Sequence, residues 1–596
     1  MKSMKDSTLF QSLHKVPFGR RGSYMVFFLE DLAEEDFGMP KLWFGSCRGG
    51  ASIQGRNTNL LKLSLIWGDE EIPYALSSTP SELIMDSDHG QIRICIGEER
   101  LVRIKGTGDA ALRLYWPIVG THSNGKHEEA RDMMDGTWML GYNFMANFLL
   151  IPLKGKMSCQ APFDWRGTFC KFFQGDIVPE DGCIEFAIEE FPGFSTRKRD
   201  SYPSYEECEE KVRKEFKEFL ETTIPEISDP EIAAARETAG WISWSHITAP
   251  GGRIKRPMVR MMQAYFPHNF GWQQSYQAAS LSKDPRLSWE LLKSMFDHQD
   301  EWGHLPDYVN DMYAMDRTSK PPLQGYVYLW LKKYRDMSFI PREELEKFYE
   351  GMGKWCSWWT TYRITRSSGL PYFGHPDESG WDDATVYAVT PQCVSPELPP
   401  YIILQMEALS DMAAELGKDD EAARWKADSE AMLKLFIDKL WNGEEFLAQD
   451  PVTGEYFRTD SIVKFQPVIL GKRLPQEIID KMAADLSVEG DWLCPYGLAS
   501  EKLDSKMIDP YQGWMNGPIV APLHFQMVTG LAECGKDELA KEVAGRFCLN
   551  GAKNGPYHII NPFNGRGQDK GRDNVLHQHI SAWSTSIFLF LAGNFC

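Results

Sequence analysis

The spacing of apolar residues changes near residue 200 and divides the chain into two parts. Before that point, short segments such as 91–96 and 111–116 alternate apolar and polar residues, which is typical of strands with one buried face. Turns containing glycine, aspartate and proline separate these segments. Several short strands with this spacing predict an N-terminal β-sandwich domain, which we assign to residues 1–202.

A charged helix is predicted to follow the sandwich. Val212, Phe216 and Phe219 recur at helical spacing within a segment that is otherwise rich in glutamate and lysine. One apolar stripe on a charged helix indicates that a single face is buried. We therefore interpret residues 203–228 as a linker helix.

Longer helices are predicted throughout the rest of the chain. The apolar period is helical over 288–299, 342–362, 400–416 and 420–440, and loops rich in Gly, Pro, Trp and Asp lie between such stretches. No short repeat runs through them, which argues against a solenoid. The pattern predicts helical hairpins around an axis in residues 229–596, so the fold class is mainly α with an N-terminal β-sandwich.

Composition fits a large globular protein with a neutral ligand. Of the 596 residues, 43% are hydrophobic and 25% are charged, which are ordinary values. A net charge of −20 repels phosphate backbones and anionic lipids, so we expect neither nucleic acid nor membrane as a partner. The 20 Trp, 22 Tyr and 33 Phe suit a protein that binds sugars, because pyranose C–H faces pack on aromatic rings. We expect a small carbohydrate or glycoside as substrate, and the sequence is compatible with a homo-oligomer.

The sequence also predicts where the protein resides. Residues 1–10 lack the apolar run of a secretion signal. No apolar stretch reaches the roughly 18 uninterrupted residues of a membrane span. Twelve cysteines are scattered from Cys47 to Cys596 without a CxxC pair, as is typical of reduced thiols. We expect a cytoplasmic protein.

Five groups of loop residues in the helical part combine unusual residue types. They are 252–257 with 270–278, 303–307 with 319–325, 377–383, 495–498 with 513–519, and 557–567. Each of them alone is also compatible with an ordinary turn. Their order and spacing together are the specific signal.

These segments resemble those of the trehalases and the related processing α-glucosidases, a group that includes glucosylglycerate hydrolases. The resemblance covers roughly residues 235–596 and is most specific at Glu378–Asp382 and Ser319–Gln324. It implies an (α/α)6 barrel, a six-hairpin toroid, and a glycosidase that cleaves an α-linked glucoside or small oligosaccharide with inversion. It implies no cofactor.

Asp382 stands where the resemblance places the general acid. The leaving alkoxide needs a proton, and a carboxyl crowded by Asp377, Glu378 and Asp383 can have its pKa raised enough to supply one, while Trp381 excludes water. The same residue would also suit the N-terminal cap of a helix. We favour the general acid because the neighbouring segments agree with it.

Four positions depart from the family pattern. His558 replaces the catalytic Glu, Gln273 replaces the Asp of a Trp-Asp pair, Asn516 replaces an Arg, and Val520 replaces a Trp. An inverting hydrolase needs a base opposite the acid, with room for one water. We consider two candidates: His558, because neutral imidazole accepts a proton near pH 7, and Glu397.

Two alternatives to base-assisted hydrolysis stay open. Phosphate can replace water as the nucleophile, as in inverting phosphorylases on related toroids, and His558, Arg566, Lys570 and Arg572 would then surround it. Alternatively, catalysis is lost and sugar binding is retained. We rank hydrolysis first, because changed polar groups in one subsite indicate altered substrate choice.

A set of residues around these candidates is predicted to hold the sugar. They are Trp272, Gln273, Lys320, Gln324, Glu378, Trp381, Trp514, Asn516 and His577. His577 and His579 have no set of carboxylates or thiols at ligand spacing beside them, so we expect no metal site.

Overall fold

The computed structural model describes residues 16–29, 42–50, 59–117, 129–142, 146–162, 170–191, 193, 196–263, 267–568 and 580–596. In these ranges a β-sandwich precedes a ring of helices, so the predicted fold class is confirmed. All twelve cysteines lie in the described ranges and none of them forms a disulfide. None of the helices described is both long enough and apolar enough to cross a membrane.

The sandwich consists of two antiparallel sheets. Its strands are β1 (Met25–Leu29), β2 (Leu42–Ser46), β3 (Asn59–Trp67), β4 (Glu70–Ile72), β5 (Ala75–Ser78), β6 (Leu83–Ser87), β7 (Gly90–Glu98), β8 (Leu101–Gly108), β9 (Ala111–Trp116), β10 (Glu129–Asp132), β11 (Trp138–Tyr142), β12 (Ala146–Lys154), β13 (Lys156–Gln160), β14 (Phe173–Val178) and β15 (Cys183–Phe191). One sheet has the order β1-β2-β3-β9-β14-β13, with β4 also paired to β3, and the other has the order β10-β11-β12-β15-β8-β7-β6-β5. In β9, Leu112, Leu114 and Trp116 are buried and alternate with less buried residues, as a period of two requires.

Helices are the main regular structure of the remaining chain. They are α1 (Tyr205–Thr222), α2 (Pro230–Ala233), α3 (Arg236–Ser245), α4 (Gly271–Ser280), α5 (Pro285–Lys293), α6 (Gln324–Tyr334), α7 (Arg342–Tyr362), α8 (Pro376–Ser379), α9 (Val386–Val389), α10 (Leu398–Glu415), α11 (Asp419–Leu440), α12 (Gln476–Leu486), α13 (Ala521–Glu533), α14 (Asp537–Asn554) and α15 (Ala582–Phe595). Short strands also pair in the loops: β16 (Ile247–Thr248) with β17 (Met258–Val259), β18 (Asn269–Phe270) with β19 (Tyr308–Val309), β20 (Ala448–Gln449) with β21 (Tyr456–Phe457), and β22 (Leu493–Cys494) with β23 (Gly497–Leu498).

The charged helix predicted between the two parts forms as α1. A capping box starts it, since Ser204 accepts a hydrogen bond from the Glu207 amide and the Glu207 side chain accepts one from the Ser204 amide. Its buried residues include Val212, Phe216 and Phe219, and the helix packs on β7, β8 and α3. α1 therefore contacts both parts of the protein. The exact division into domains stays a prediction.

Six inner segments form a closed ring. Their order is α4, α6, α10, residues 462–473, α13 and α15, and α15 closes the ring by packing on α4. An outer layer of α3, α5, α7, α11, α12 and α14 covers them. α4 is buried on every side and α13 on nearly every side, as expected of helices surrounded by protein. Residues 462–473 form a 3-10 helix that contains Pro467 and is interrupted at Gly471, so one inner member departs from α geometry. This architecture is the (α/α)6 toroid.

A buried ionic contact joins the sandwich to the toroid. The Arg48 guanidinium donates to both carboxylate oxygens of Glu190 on β15, each at 2.8 Å. It also lies 3.3 Å from Asp311, which belongs to a loop of the toroid. The Tyr24 ring covers the guanidinium at 4.3 Å. Because these charges are out of water, each depends on its partners.

Replacing Glu190 by Gln is expected to lower the free energy of unfolding by about 3 kcal/mol, since Arg48 would keep its buried charge beside a weaker partner. Thermal and denaturant unfolding measure the change. Glu129→Gln is the matched control, because Glu129 pairs with Arg131 in solvent and such a pair contributes less than about 1 kcal/mol. Equal losses in the two variants would contradict the assigned role of the buried contact.

Candidate active site

The predicted site residues lie near the starts of the inner helices. Trp272 and Gln273 open α4, Gln324 opens α6, and Asn516 precedes α13. Trp583, in the first turn of α15, lies 4.9 Å from Trp272 between ring centroids. Residues far apart in the sequence therefore meet at one end of the ring.

The loop that carries Asp382 is pressed against Trp272. Gly380 has a φ of +74°, and a Cβ built on it would lie 2.3 Å from the Trp272 ring. Only glycine fits a left-handed position this close to another side chain. The next residue, Trp381, meets Trp272 edge-on, with ring centroids 5.7 Å apart.

Asp382 occupies an electrostatically crowded cleft. Its side chain is 45% exposed, and the Lys320 Nζ lies 3.9 Å from its Oδ1 and 3.6 Å from Asp307 Oδ1. Lys320 also donates a hydrogen bond to the Asp377 carbonyl. Although part of the side chain faces solvent, desolvation by the surrounding protein raises the pKa of Asp382 to about 6; Lys320 opposes the rise, whereas Asp377, Asp307 and Asp383 add to it. A carboxyl with this pKa can hold a proton and release it near neutrality, as a general acid must.

We call residues 377–383 the acid loop, after the role predicted for Asp382, and Asp383 connects this loop to the segment around Trp514. Its carboxylate accepts hydrogen bonds from the amides of Trp514 at 2.9 Å and Met515 at 2.6 Å. The Trp514 ring centroid lies 4.5 Å from that of His558. The position of Asp382 is thus coupled to the segment that packs on His558.

A chain of hydroxyls orients His558. Ser584 Oγ donates to the Pro556 carbonyl at 2.7 Å, and Ser581 Oγ donates to Ser584 Oγ at 3.2 Å. Ser581 Oγ also lies 2.9 Å from His558 Nδ1. Donation from Nδ1 to Ser581 Oγ would leave the lone pair of a neutral ring on Nε2, which is the tautomer that a base acting through Nε2 requires.

Glu397, the other candidate base, is enclosed beneath the acid loop. It has no exposed surface, and the Tyr387 hydroxyl donates to its Oε1 at 2.9 Å. Trp381 and Ser395 lie beside the same carboxyl. Burial raises the pKa of Glu397 to about 8, although these neighbours oppose the rise. Glu397 therefore packs under the acid loop and supports it. Because a carboxyl with this raised pKa holds its proton near neutrality, we favour His558 as the base.

The remaining described candidates are buried around this centre. Of all the described candidates, Asp382 and Trp514 are the two with appreciable exposure. Polar atoms of Gln273, Gln324 and Asn516 are buried without a hydrogen-bond partner among the described residues. Such atoms are unusual in a core and are typical of binding sites. Glu378 instead pairs with Arg363 at 2.8 Å. His577 lies outside the described residues.

Several residues of the site were not predicted. Asp307 and Gly380 stand inside the recognised segments, but the pattern did not indicate that one would pair with Lys320 and the other would touch Trp272. Ser581 had no sequence signal, because a serine that caps a helix is common. The described residues contain no cluster of three or more His, Cys, Asp or Glu able to hold a metal ion.

Comparison with known proteins decides the family. A sequence profile of the mannosylglycerate hydrolase MGH1-like glycoside hydrolase domain matches residues 267–577, more than half of the chain. The protein belongs to the MGH1-like glycoside hydrolases. The match confirms the predicted resemblance to inverting (α/α)6 glycosidases. No curated protein matches the chain.

Solved structures show that the fold of this MGH1-like protein extends over both parts. A bacterial glucoamylase complexed with acarbose superposes with a TM-score of 0.62, 10% identity, and coverage of 99% of this chain and 95% of that one. The inverting GH92 mannosidase from Bacteroides thetaiotaomicron has a TM-score of 0.52 and 9% identity over 82% of this chain and 73% of its own. The GH63 mannosylglycerate hydrolase from Thermus thermophilus, in complex with glucose, has a TM-score of 0.48 and 17% identity over 57% and 95% of the respective chains.

The contact between Gly380 and Trp272 can be tested in this glycoside hydrolase by adding one methyl group. Gly380→Ala is expected to lower both stability and turnover, because the new Cβ overlaps the indole and displaces the acid loop. Gly417→Ala is the matched control: its φ is +69°, yet no atom lies within 4 Å of the new Cβ. The control should lose only about 1 kcal/mol of unfolding free energy from backbone strain and keep its turnover. If both variants turn over substrate normally, Gly380 does not position the acid.

Glu397→Gln distinguishes a supporting carboxyl from a catalytic one. We expect the variant to keep most of its turnover, because a buried protonated Glu and Gln have similar shape and polarity. The raised pKa also predicts a stability difference. Wild type loses stability relative to the variant as pH rises from about 5 to about 8, because the carboxyl ionises in the unfolded chain while burial keeps it protonated in the folded protein. Melting temperatures at several pH values measure this. Loss of turnover in a folded variant would reassign Glu397 to catalysis.

Proposed function

We propose that the protein hydrolyses an α-linked glycoside with inversion, with Asp382 as the general acid and His558 as the general base. The observation that carries the proposal is Asp382 itself, a carboxyl open to the cleft with a pKa raised to about 6. The family supports glycoside hydrolysis in general. The role of each residue is our inference from its surroundings.

The proposed reaction has one proton transfer on each side of the sugar: Asp382 donates a proton and His558 accepts one. Asp382 donates its proton to the glycosidic oxygen as the bond from that oxygen to the anomeric carbon breaks. Water attacks the anomeric carbon from the opposite face, and Nε2 of His558 accepts a proton from that water. The products are a sugar of inverted anomeric configuration and the free alcohol. Asp382 is left ionised and His558 protonated, and exchange with solvent restores both.

Lys320 has a positioning role in this scheme. Its side chain is nearly buried, and it lies between the carboxyls of Asp307 and Asp382. Coulombic attraction to both carboxylates raises the pKa of Lys320 although burial opposes it, so the amine stays charged. The lysine therefore limits how far the pKa of Asp382 rises, and it stabilises the carboxylate that remains after proton transfer.

For the substrate we propose a small α-hexoside. The name of the matching family points to α-mannosides of glycerate as the first compounds to test. Among the described residues, the side-chain amide of Gln273 and the amide oxygen of Asn516 have no hydrogen-bond partner, which supports a reacting subsite that binds hydroxyls without charge. We also propose a cytoplasmic location, which twelve free cysteines favour.

One experiment tests the reaction as a whole. Purified protein is incubated with mannosylglycerate, glucosylglycerate, α-linked disaccharides and aryl α-glycosides, with and without phosphate, while proton NMR follows the anomers. We expect free β-anomer as the first product, at a rate independent of phosphate. A sugar 1-phosphate would establish phosphorolysis instead. Binding without turnover of any of these compounds would favour a sugar-binding protein.

Asp382→Asn is expected to lower kcat by about 100-fold or more for substrates with poor leaving groups, since the amide has no proton to give. In wild type, kcat/KM should fall as pH rises above about 6, because the acid must be protonated. Asp377→Asn is the control in the same loop: it should stay active, with the alkaline limb moved to lower pH, because one neighbouring negative charge is removed. A folded Asp382→Asn variant with normal kcat would refute the acid assignment.

A further inference from the structure

An aromatic cluster is connected to the acid loop through Arg363 and Glu378. Trp302 is 62% exposed and Tyr362 is 50% exposed, whereas large aromatic side chains are usually mostly buried. The ring centroid of Trp358, which is nearly buried, is 6.1 Å from that of Tyr362. His304 packs on Trp358 at 4.9 Å. We call Trp302, His304, Trp358 and Tyr362 the aromatic strip.

The loop that presents Trp302 is held in one conformation. The Asp300 carboxylate accepts hydrogen bonds from the amides of Trp302 at 3.0 Å and His304 at 2.8 Å. Gln299 donates to the carbonyls of Gly303 and of Gly351 on α7, which fastens the loop to that helix. The backbone that carries the exposed indole is thus held in place, and little loop entropy is lost when a ligand packs on the ring.

An ion pair connects the strip to the acid loop. The Arg363 guanidinium covers the Trp358 ring at 4.8 Å and donates to Glu378 Oε1 at 2.8 Å. Glu378 also accepts from the Gly374 amide and begins the segment that ends at Asp382. The acid loop therefore has contacts on two sides, which we call its flanks. On one flank Asp383 contacts the segment that packs on His558, and on the other Glu378 contacts Arg363 of the strip side.

The two flanks correspond to the two sides of the reacting bond. In an inverting hydrolase the sugar that reacts lies between acid and base, and the leaving group departs past the acid. A ligand that extends beyond Asp382, away from His558, would run toward Arg363 and Trp358. The exposed rings of Trp302 and Tyr362, with the partly exposed Arg363 guanidinium, suit pyranose rings, which pair an apolar face with equatorial hydroxyls.

We propose that the aromatic strip is a leaving-group subsite that binds the second and later hexose units of an α-linked oligosaccharide. The inference deepens the proposed function and depends on Asp382 being the acid. It extends the substrate from a small glycoside to an oligosaccharide whose reacting sugar is at one end.

The test compares two substrates that share the reacting sugar. An aryl α-hexoside has one sugar, and an α-linked tetrasaccharide of the same hexose can reach the strip. Trp302→Ala and Tyr362→Ala should each lower kcat/KM for the tetrasaccharide about tenfold more than for the aryl glycoside. Trp67→Ala is the matched control, because Trp67 is 53% exposed on the sandwich and stacks on His89, far along the chain from the acid loop. It should change neither rate.

Three results would overturn the subsite. They are equal losses on both substrates, no loss on the tetrasaccharide, or the same loss in the Trp67 control. If wild type cleaves no glycoside, the proposed function fails by itself, and calorimetric titration of the protein with maltotetraose and an α-mannotetraose then decides the strip. Binding that Trp302→Ala weakens about tenfold supports the subsite. Absence of binding, or binding that is unaffected by the substitution, refutes it.

Discussion

The site depends on the close approach of one backbone to one indole. Gly380 brings the acid loop within contact of Trp272, and Trp272 in turn packs against Trp583. The two indoles belong to α4 and α15, which are the first and last inner helices of the toroid. The toroid must therefore close before the acid loop can pack on them. Asp383 then fixes the loop from the other direction by holding two amides. A carboxyl between two such anchors has little freedom, which is what preorganisation for proton transfer requires.

Charge in the cleft is balanced rather than simply negative. Asp307, Asp377, Asp382 and Asp383 lie near one another, and Lys320 is placed among them. Without the lysine, burial and neighbouring carboxylates would raise the pKa of Asp382 further and leave it a poor proton donor. If Lys320 were its neighbour and the other carboxylates and the desolvation were absent, Asp382 would stay ionised near neutral pH. The intermediate value near 6 follows from the two opposing effects, so substitutions of neighbouring charges tune the acid without touching it.

The sequence predicted the fold more fully than the site. Period-two alternation identified strands such as 111–116, and helical spacing placed the helix at 342–362 at its observed bounds, because burial of one face leaves a regular trace in the chain. Residues 462–473 escaped prediction, since an inner segment buried on all sides has no polar face. Asp382 was identified from a motif. The orientation of Glu397 was not, because its place before a helix does not tell which way the side chain points. Ser581 became relevant only through the tertiary contact with His558.

Closure of the ring has a consequence for how such a protein can vary. α15 packs on both α3 and α4, and a Cβ on Gly593 would fall 2.5 Å from Pro225, so the two ends of the toroid's chain are neighbours. A hairpin cannot be inserted or deleted without opening the circle, unlike in open superhelical arrays that grow one repeat at a time. The adjacent ends permit a different rearrangement. The order of the hairpins could be rotated by joining the ends with a short linker and cutting an exposed outer loop, and the same inner wall would re-form around the site.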